Sequence, residues 1–240
     1  MNKTYCFTDL HGMYNLWAQI RDYCDESDIL IFLGDACDRG DSGIKIITEL
    51  LRDKRVKYLK GNHEDMITIV GPELIEGQYH NYSWWLMNGG AQTAEDFLKL
   101  PLLSQEWIVE KLNALPDHMW YTNKKGQEIF LSHAGTDLIY SKRDLELMGR
   151  KDPYIWDRKH IGPSWPQEPE YENKYVVHGH TPVQNLLRDG TVRVVKYAHG
   201  HKIDLDFGSF QSCTAVLFDL DEMEVAKVFY DKGTFETTCI

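Results

Sequence analysis

The sequence predicts an α/β fold, and three observations carry the prediction. Short apolar runs alternate with segments of helical period over the first 60 residues, a helical stretch interrupts them, and β-rich runs resume from residue 129. Residues 4–8 alternate as a strand. Within residues 13–24, Leu16, Trp17, Ile20 and Cys24 recur at helical spacing, and residues 29–33 form a compact apolar run. Residues 42–52 read as a second helix, opened by Ser42 and burying Ile44, Ile47 and Leu51, before a third strand at residues 56–59. This is the rhythm of parallel βαβ units, in which functional groups gather beyond the carboxyl ends of the strands.

Between residues 66 and 128 the rhythm breaks. Residues 91–100 and 105–115 look helical, and Tyr79, Tyr82, Trp84, Trp85, Trp107, Trp120 and Tyr121 are scattered through a helical excursion, where they read as core. Strands are expected at residues 129–132, 175–178, 191–196, 202–207, 215–220 and 224–230, making a second, partly antiparallel sheet. Residues 162–173 hold three of the eight prolines and read as an irregular loop. A chain of 240 residues, 42% hydrophobic, fits one domain spanning residues 1–240.

With 26 Lys+Arg against 37 Asp+Glu, the formal charge of -11 argues against general affinity for nucleic acid backbones or anionic membranes. No stretch approaches the roughly 18 consecutive apolar residues of a membrane span, and the start carries no export signal. The five cysteines are odd in number and lack a Cys-x-x-Cys pair, so they read as free thiols in a reducing cytoplasm.

Short blocks in a fixed order carry the chemistry: Asp9-Leu10-His11-Gly12, then Gly34-Asp35 through Asp38-Arg39-Gly40, Gly61-Asn62-His63-Glu64-Asp65, Ser132-His133-Ala134-Gly135 and His178-Gly179-His180-Thr181. Asp9, His11 and Asp35 can bind one cation, and Asp35, Asn62, His133 and His180 a second, with the Asp35 carboxylate shared. Two ions about 3.5–4 Å apart can grip a bridging water, lower its pKa and polarise phosphoryl oxygens, which is the chemistry of phosphoester hydrolysis. Mixed oxygen and nitrogen donors suit manganese, iron or zinc better than calcium. His-Gly-His occurs twice. His180 is chosen over His199 and His201 because it follows the apolar residues 175–177 and precedes the turn-forming Thr181-Pro182.

These residues resemble the phosphoprotein phosphatase branch of the calcineurin-like metallophosphoesterases, especially the small bacterial and phage serine/threonine phosphatases. Gly34-Asp35-x-x-Asp38-Arg39-Gly40 and Gly61-Asn62-His63-Glu64 carry the likeness, supported by Trp85-Leu86-Met87-Asn88-Gly89-Gly90 and Trp156-Asp157-Arg158. The resemblance implies a four-layer fold, two mixed β-sheets in a sandwich flanked by helices. It also implies Mn²⁺-supported hydrolysis of a phosphorylated protein, peptide or small phosphoester by a hydroxide bridging two divalent ions. Carried over residue by residue, it makes Asp9, His11, Asp35, Asn62, His133 and His180 the metal ligands. It places His63 as general acid beside Asp38, and Arg39, Arg158 and Asn62 on the substrate phosphate.

The residue chemistry agrees. An alkoxide leaves badly at neutral pH, so a histidine near its reference pKa of about 6.5 can donate a proton, and a guanidinium pairs bidentately with phosphate. Two departures are Lys60, where relatives often carry arginine, and Thr8-Asp9 in place of Gly-Asp. The alternatives are a nucleotide hydrolase similar to symmetrical dinucleoside tetraphosphatases, a nucleic acid end phosphatase, and an inactive phosphate-binding scaffold.

Overall fold

Period-2 burial divides the strands between two cores. In the computed structural model, which describes residues 2–148 and 153–231, β1 (Thr4–Phe7), β2 (Ile29–Phe32) and β3 (Val56–Tyr58) run parallel, with α1 (Tyr14–Tyr23) and α2 (Gly43–Arg52) as their crossovers. Tyr5, Phe7, Leu30 and Phe32 face these helices, whereas the intervening Cys6, Ile31 and Leu33 face the other way. A strand buried on both faces has no polar side to show, which explains the continuous apolar run at residues 29–33.

After β3 the chain enters α3 (Asn62–Ile75), α4 (Tyr82–Met87), α5 (Ala91–Leu98) and α6 (Leu102–Asn113). The expected excursion therefore needs correction at both ends. Helix α3 begins inside the Gly61-Asn62-His63 block, and residues 118–122 are not helical but form strand β4 (His118–Thr122). This strand lies at a sheet edge, with alternating exposed and half-buried residues, so it lacks the apolar run that marked the interior strands.

The second sheet adds β5 (Glu128–Ser132), β6 (Lys174–His178), β7 (Val195–Tyr197) and β8 (Lys202–Asp204) to β4, in the order β4-β5-β6-β8-β7. Its β5–β6 and β6–β8 pairs are parallel and its outer pairs antiparallel. The expected strands at 191–196 and 202–207 shorten to β7 and β8. Gly190 in a turn at positive φ precedes the first, and Asp204 and Asp206 turn the chain after the second. Strands β9 (Thr214–Asp219) and β10 (Glu224–Tyr230) return to the first sheet, giving β10-β9-β1-β2-β3. Short helices α7 (Lys142–Met148), α8 (Val183–Leu187) and α9 (Ser209–Ser212) lie in connections to which the sequence assigned no element, each too short to show a helical period.

The architecture is α/β with two mixed sheets stacked through a shared apolar layer. Cys6, Ile31, Leu33, Val216 and Phe218 of one sheet meet Ile129, Leu131, Val177 and Ile203 of the other. No helix of the described residues is long and apolar enough to cross a membrane. Cys6, Cys24 and Cys37 are buried free thiols and Cys213 is buried; Cys239 lies outside the described residues.

One buried carboxylate joins the loops that follow β2 and β3. Glu64, fully buried in the first turn of α3, accepts Asp35 N–H at 2.8 Å and Gly61 N–H at 2.9 Å on Oε2. Its Oε1 accepts Ala36 N–H at 2.8 Å and Tyr58 O–H at 2.9 Å. Four donors on one carboxylate leave no room for an amide, whose NH₂ would face two N–H groups. Glu64→Gln is therefore expected to lower the unfolding free energy by about 3 kcal/mol. Urea denaturation checks this as a lower midpoint at constant slope, and an unchanged midpoint would contradict it.

Candidate metal centre

The five sequence blocks converge at the carboxyl ends of β1, β2, β3, β5 and β6. Among the described residues, eleven non-glycine residues have positive φ, and six of these are Asp9, His11, Asp35, Asp38, Arg39 and His180. Such backbone costs roughly 1–2 kcal/mol per residue and persists only where the surroundings impose it. Here they do. Asp9 N–H bonds Gly34 carbonyl and His11 N–H bonds Asp35 carbonyl, both at 3.0 Å, and Gly179 N–H bonds His133 carbonyl at 2.8 Å. Two close approaches require glycine: a Cβ on Gly61 would lie 2.2 Å from Asp35 Oδ1, and one on Gly179 would lie 2.2 Å from Asp9 Oδ2.

Asp35 is the hub. Its Oδ1 accepts the His63 N–H at 3.0 Å, which frees Oδ2 to face three imidazoles. His11 Nε2 lies 3.6 Å from Oδ2, His63 Nε2 3.7 Å and His133 Nε2 3.4 Å. These spacings are too long for hydrogen bonds, but close to the edges of a polyhedron whose ligands sit about 2.0–2.2 Å from a central ion. His11, Asp35 and His63 present ligand atoms all within 4.8 Å of one another, as do Asp35, His133 and His180, and all five residues are buried.

The second group is tighter still. Asn62 Oδ1 stands 2.9 Å from His133 Nε2 and 2.8 Å from His180 Nδ1, and the two ring nitrogens are 3.0 Å apart. His133 Nδ1 faces the Leu33 carbonyl at 3.0 Å, and His11 Nδ1 the Cys37 carbonyl at 2.9 Å. A carbonyl accepts only, so each Nδ1 carries a proton and each Nε2 is the ring nitrogen turned into the site. Asp9 is held by Thr8 O–H at 2.5 Å and His180 N–H at 3.0 Å, both on Oδ2. Its Oδ1 is buried without a hydrogen-bond partner and lies 3.7 Å from His11 Nε2.

This donor set fits divalent cations. Ring nitrogens and carboxylate oxygens converge, and Asp9 Oδ1 among them is buried without a hydrogen-bond partner. Burial disfavours charge on His133, but Asp35, with help from Asp9, outweighs it and pushes the pKa up to about 9, so that a cation binding there must displace a proton from Nε2. Burial holds His11 and His180 well below the ordinary histidine range, keeping them neutral and able to ligate. The geometry brings together all six residues expected as ligands. It also brings His63 Nε2 in as a third donor beside His11 and Asp35, its Nδ1 being already committed.

That commitment is to Asp38. His63 Nδ1–H donates to Asp38 Oδ2 at 2.6 Å, and both side chains are buried. Burial opposes the charged ring, but Asp35 and the Asp38 hydrogen bond prevail and raise the His63 pKa above its ordinary value. The exposed Arg39 guanidinium lies against His11 Nε2 and 3.2 Å from His63 Nε2. His11 Nε2 cannot serve a cation and this guanidinium at once. Arg158, also exposed, reaches the other cluster, donating to the His180 carbonyl at 3.2 Å and Thr181 Oγ1 at 3.0 Å. Lys60 turns away, its Nζ 3.4 Å from the Asn113 carbonyl at the end of α6.

The second His-Gly-His stands apart from the clusters. His201 stacks on Trp165 with ring centres 4.9 Å apart and bonds the Lys174 carbonyl through Nδ1 at 2.8 Å. His178 is buried under the site, its Nε2 2.6 Å from Tyr197 Oη and 3.3 Å from His160 Nε2. The sequence reading missed Glu64, although a glutamate in the first helical turn reaching back to a backbone N–H is a recognisable signal. It also missed the supports that the helical excursion lends to the Asp38-Arg39 loop, for which no spacing rule exists.

Comparison with known proteins agrees with this geometry. The family model for calcineurin-like phosphoesterases matches residues 3–203. A bis(5'-nucleosyl)-tetraphosphatase (asymmetrical), PrpE of Oceanobacillus iheyensis, is 24% identical over 221 residues, covering 83% of this chain and 76% of that protein. Among solved structures, a proposed diadenosine tetraphosphatase superposes with a TM-score of 0.60 at 13% identity, covering 97% of this chain and 95% of that one. A protein serine/threonine phosphatase from Saccharomyces cerevisiae, with similarity to human PP5, gives 0.56 at 15% identity, covering 96% and 80%. At such identities the structural likenesses speak for the fold alone, whereas the family model spans most of the sequence and every block of the site. The chain belongs to the calcineurin-like phosphoesterase family.

Proposed function

We propose that this phosphoesterase is a metal-dependent phosphomonoesterase of the phosphoprotein phosphatase branch, acting on phosphoserine or phosphothreonine. The observation that carries the reading is the His63–Asp38 hydrogen bond, set beside the cluster that would hold the cations. A serine or threonine alkoxide is a poor leaving group and gains most from a positioned proton donor, whereas a nucleoside polyphosphate departs as an already stabilised anion. Two divalent ions, manganese in this reading, would be held by Asp9, His11, Asp35, Asn62, His133 and His180, and when bound they supply Lewis acidity and an acidified water.

The protein's own residues do the rest. Arg39 and Arg158, both exposed at the rim, offer planar forks to phosphate oxygens and hold the ester in line. His63, oriented by Asp38, gives its Nε2 proton to the departing oxygen. A cleft of about 390 Å³ beside Arg39, lined by residues including Tyr14, Asn15, Asp41 and Phe210, has room for more of the substrate than its phosphate. The relative named as a tetraphosphatase supports a second reading, nucleotide hydrolysis at the same centre.

Three measurements test the proposal. Asp35→Asn removes the shared carboxylate, so calorimetric titration with Mn²⁺ should lose both binding events, and phosphatase activity should fall at least 10³-fold. Retention of either would overturn the shared-ligand assignment. His63→Asn should lower kcat on an alkyl phosphate about 10²-fold more than on 4-nitrophenyl phosphate, whose leaving group needs no proton. Equal losses would remove His63 from the role of acid. Parallel kcat/KM values on a phosphoserine peptide, diadenosine tetraphosphate and a 2′,3′-cyclic nucleotide should rank the peptide first, and a higher value for the tetraphosphate would establish the second reading.

A further inference from the structure

The helical excursion reaches into the site at one loop, through three contacts. Trp85, fully buried in α4, donates its indole N–H to Asp38 Oδ2 at 2.9 Å, the same oxygen that receives His63 Nδ1–H. Thr93 of α5 accepts the Asp38 backbone N–H on Oγ1 at 3.0 Å. Between them, the Gly89 carbonyl accepts the Arg39 N–H at 2.9 Å. Asp38 and Arg39 both have positive φ, at 67° and 66°, so the loop holds a backbone it would not adopt unaided.

The Asp38 carboxylate has few other anchors. Its Oδ1 is buried without a hydrogen-bond partner, so its orientation rests on the two donors that share Oδ2. The indole in turn sits where only glycine leaves room, since a Cβ on Gly90 would lie 2.4 Å from Trp85 Cδ1 and Nε1.

We propose that Trp85 is a positioning residue for the proton donor, its indole N–H holding the Asp38 carboxylate so that His63 Nε2 points at the departing oxygen. The inference rests on His63 acting as the acid. In the step itself, the Nε2–H bond breaks and its proton joins the leaving oxygen, while the electron pair stays on the ring. Asp38 remains a carboxylate throughout. Trp85 directs its indole N–H to Asp38 and not to a predicted cation ligand, so it acts through Asp38.

A core tryptophan can also be merely structural, and leaving-group dependence separates the two roles. Trp85→Phe keeps the ring and removes the donor. The ratio of kcat on an alkyl phosphate to kcat on 4-nitrophenyl phosphate should fall roughly tenfold, with KM for both esters unmoved. Gly90→Ala, which displaces the indole by another route, should lower the same ratio and serves if the first variant folds poorly. Equal losses on both esters, a change confined to KM, or no loss would each overturn the proposal. His63→Asn, measured alongside, separates the failures. If it lowers the ratio and Trp85→Phe does not, the positioning role falls and the acid stands. If it leaves the ratio unchanged, His63 is not the acid and both fall.

Discussion

The site depends on a division of labour within two buried carboxylates. Glu64 spends all its acceptor capacity on three backbone N–H groups and one phenol, which fixes the loop after β2 against the start of α3. Asp35, placed by that contact, spends one oxygen on the His63 N–H and leaves the other facing three imidazoles. The first carboxylate thus helps to set the direction of the second, around which the imidazoles gather. A charge this deeply buried is tolerable only when its partners are arranged in advance, and the arrangement is the work of backbone hydrogen bonds.

The same economy recurs around the clusters. His11 and His133 each commit Nδ1 to a main-chain carbonyl, so that each Nε2 faces inward. Asp9 spends Oδ2 on Thr8 and the His180 N–H, and presents Oδ1 unpaired. Unfavourable backbone is concentrated at these positions and held by contacts between loops rather than within them. The fold thus trades local conformational preference for convergence of side chains, which is what a binding site for small, highly charged ions requires.

Much of this was legible in the residues. The parallel strand–helix alternation announced the first sheet, because strands buried on both faces read as unbroken apolar runs. The blocks of the site stood out because each follows a strand, and His180 was told apart from His199 and His201 by the same rule. Edge strand β4 was hidden, since its exposed alternation with Trp120 and Tyr121 mimics scattered aromatics. The turn of Lys60 towards the end of α6, and the Trp85–Asp38 bond across 47 residues, depend on how helices pack, and no local pattern records that.

The central claim is that two cations share the carboxylate of Asp35, and anomalous X-ray diffraction from crystals loaded with Mn²⁺ tests it most directly. The account predicts two anomalous peaks about 3.5–4 Å apart, one on each side of Asp35 Oδ2, with His11 bordering one and His133 and His180 the other. A single peak, or two peaks that do not share Asp35, would contradict it.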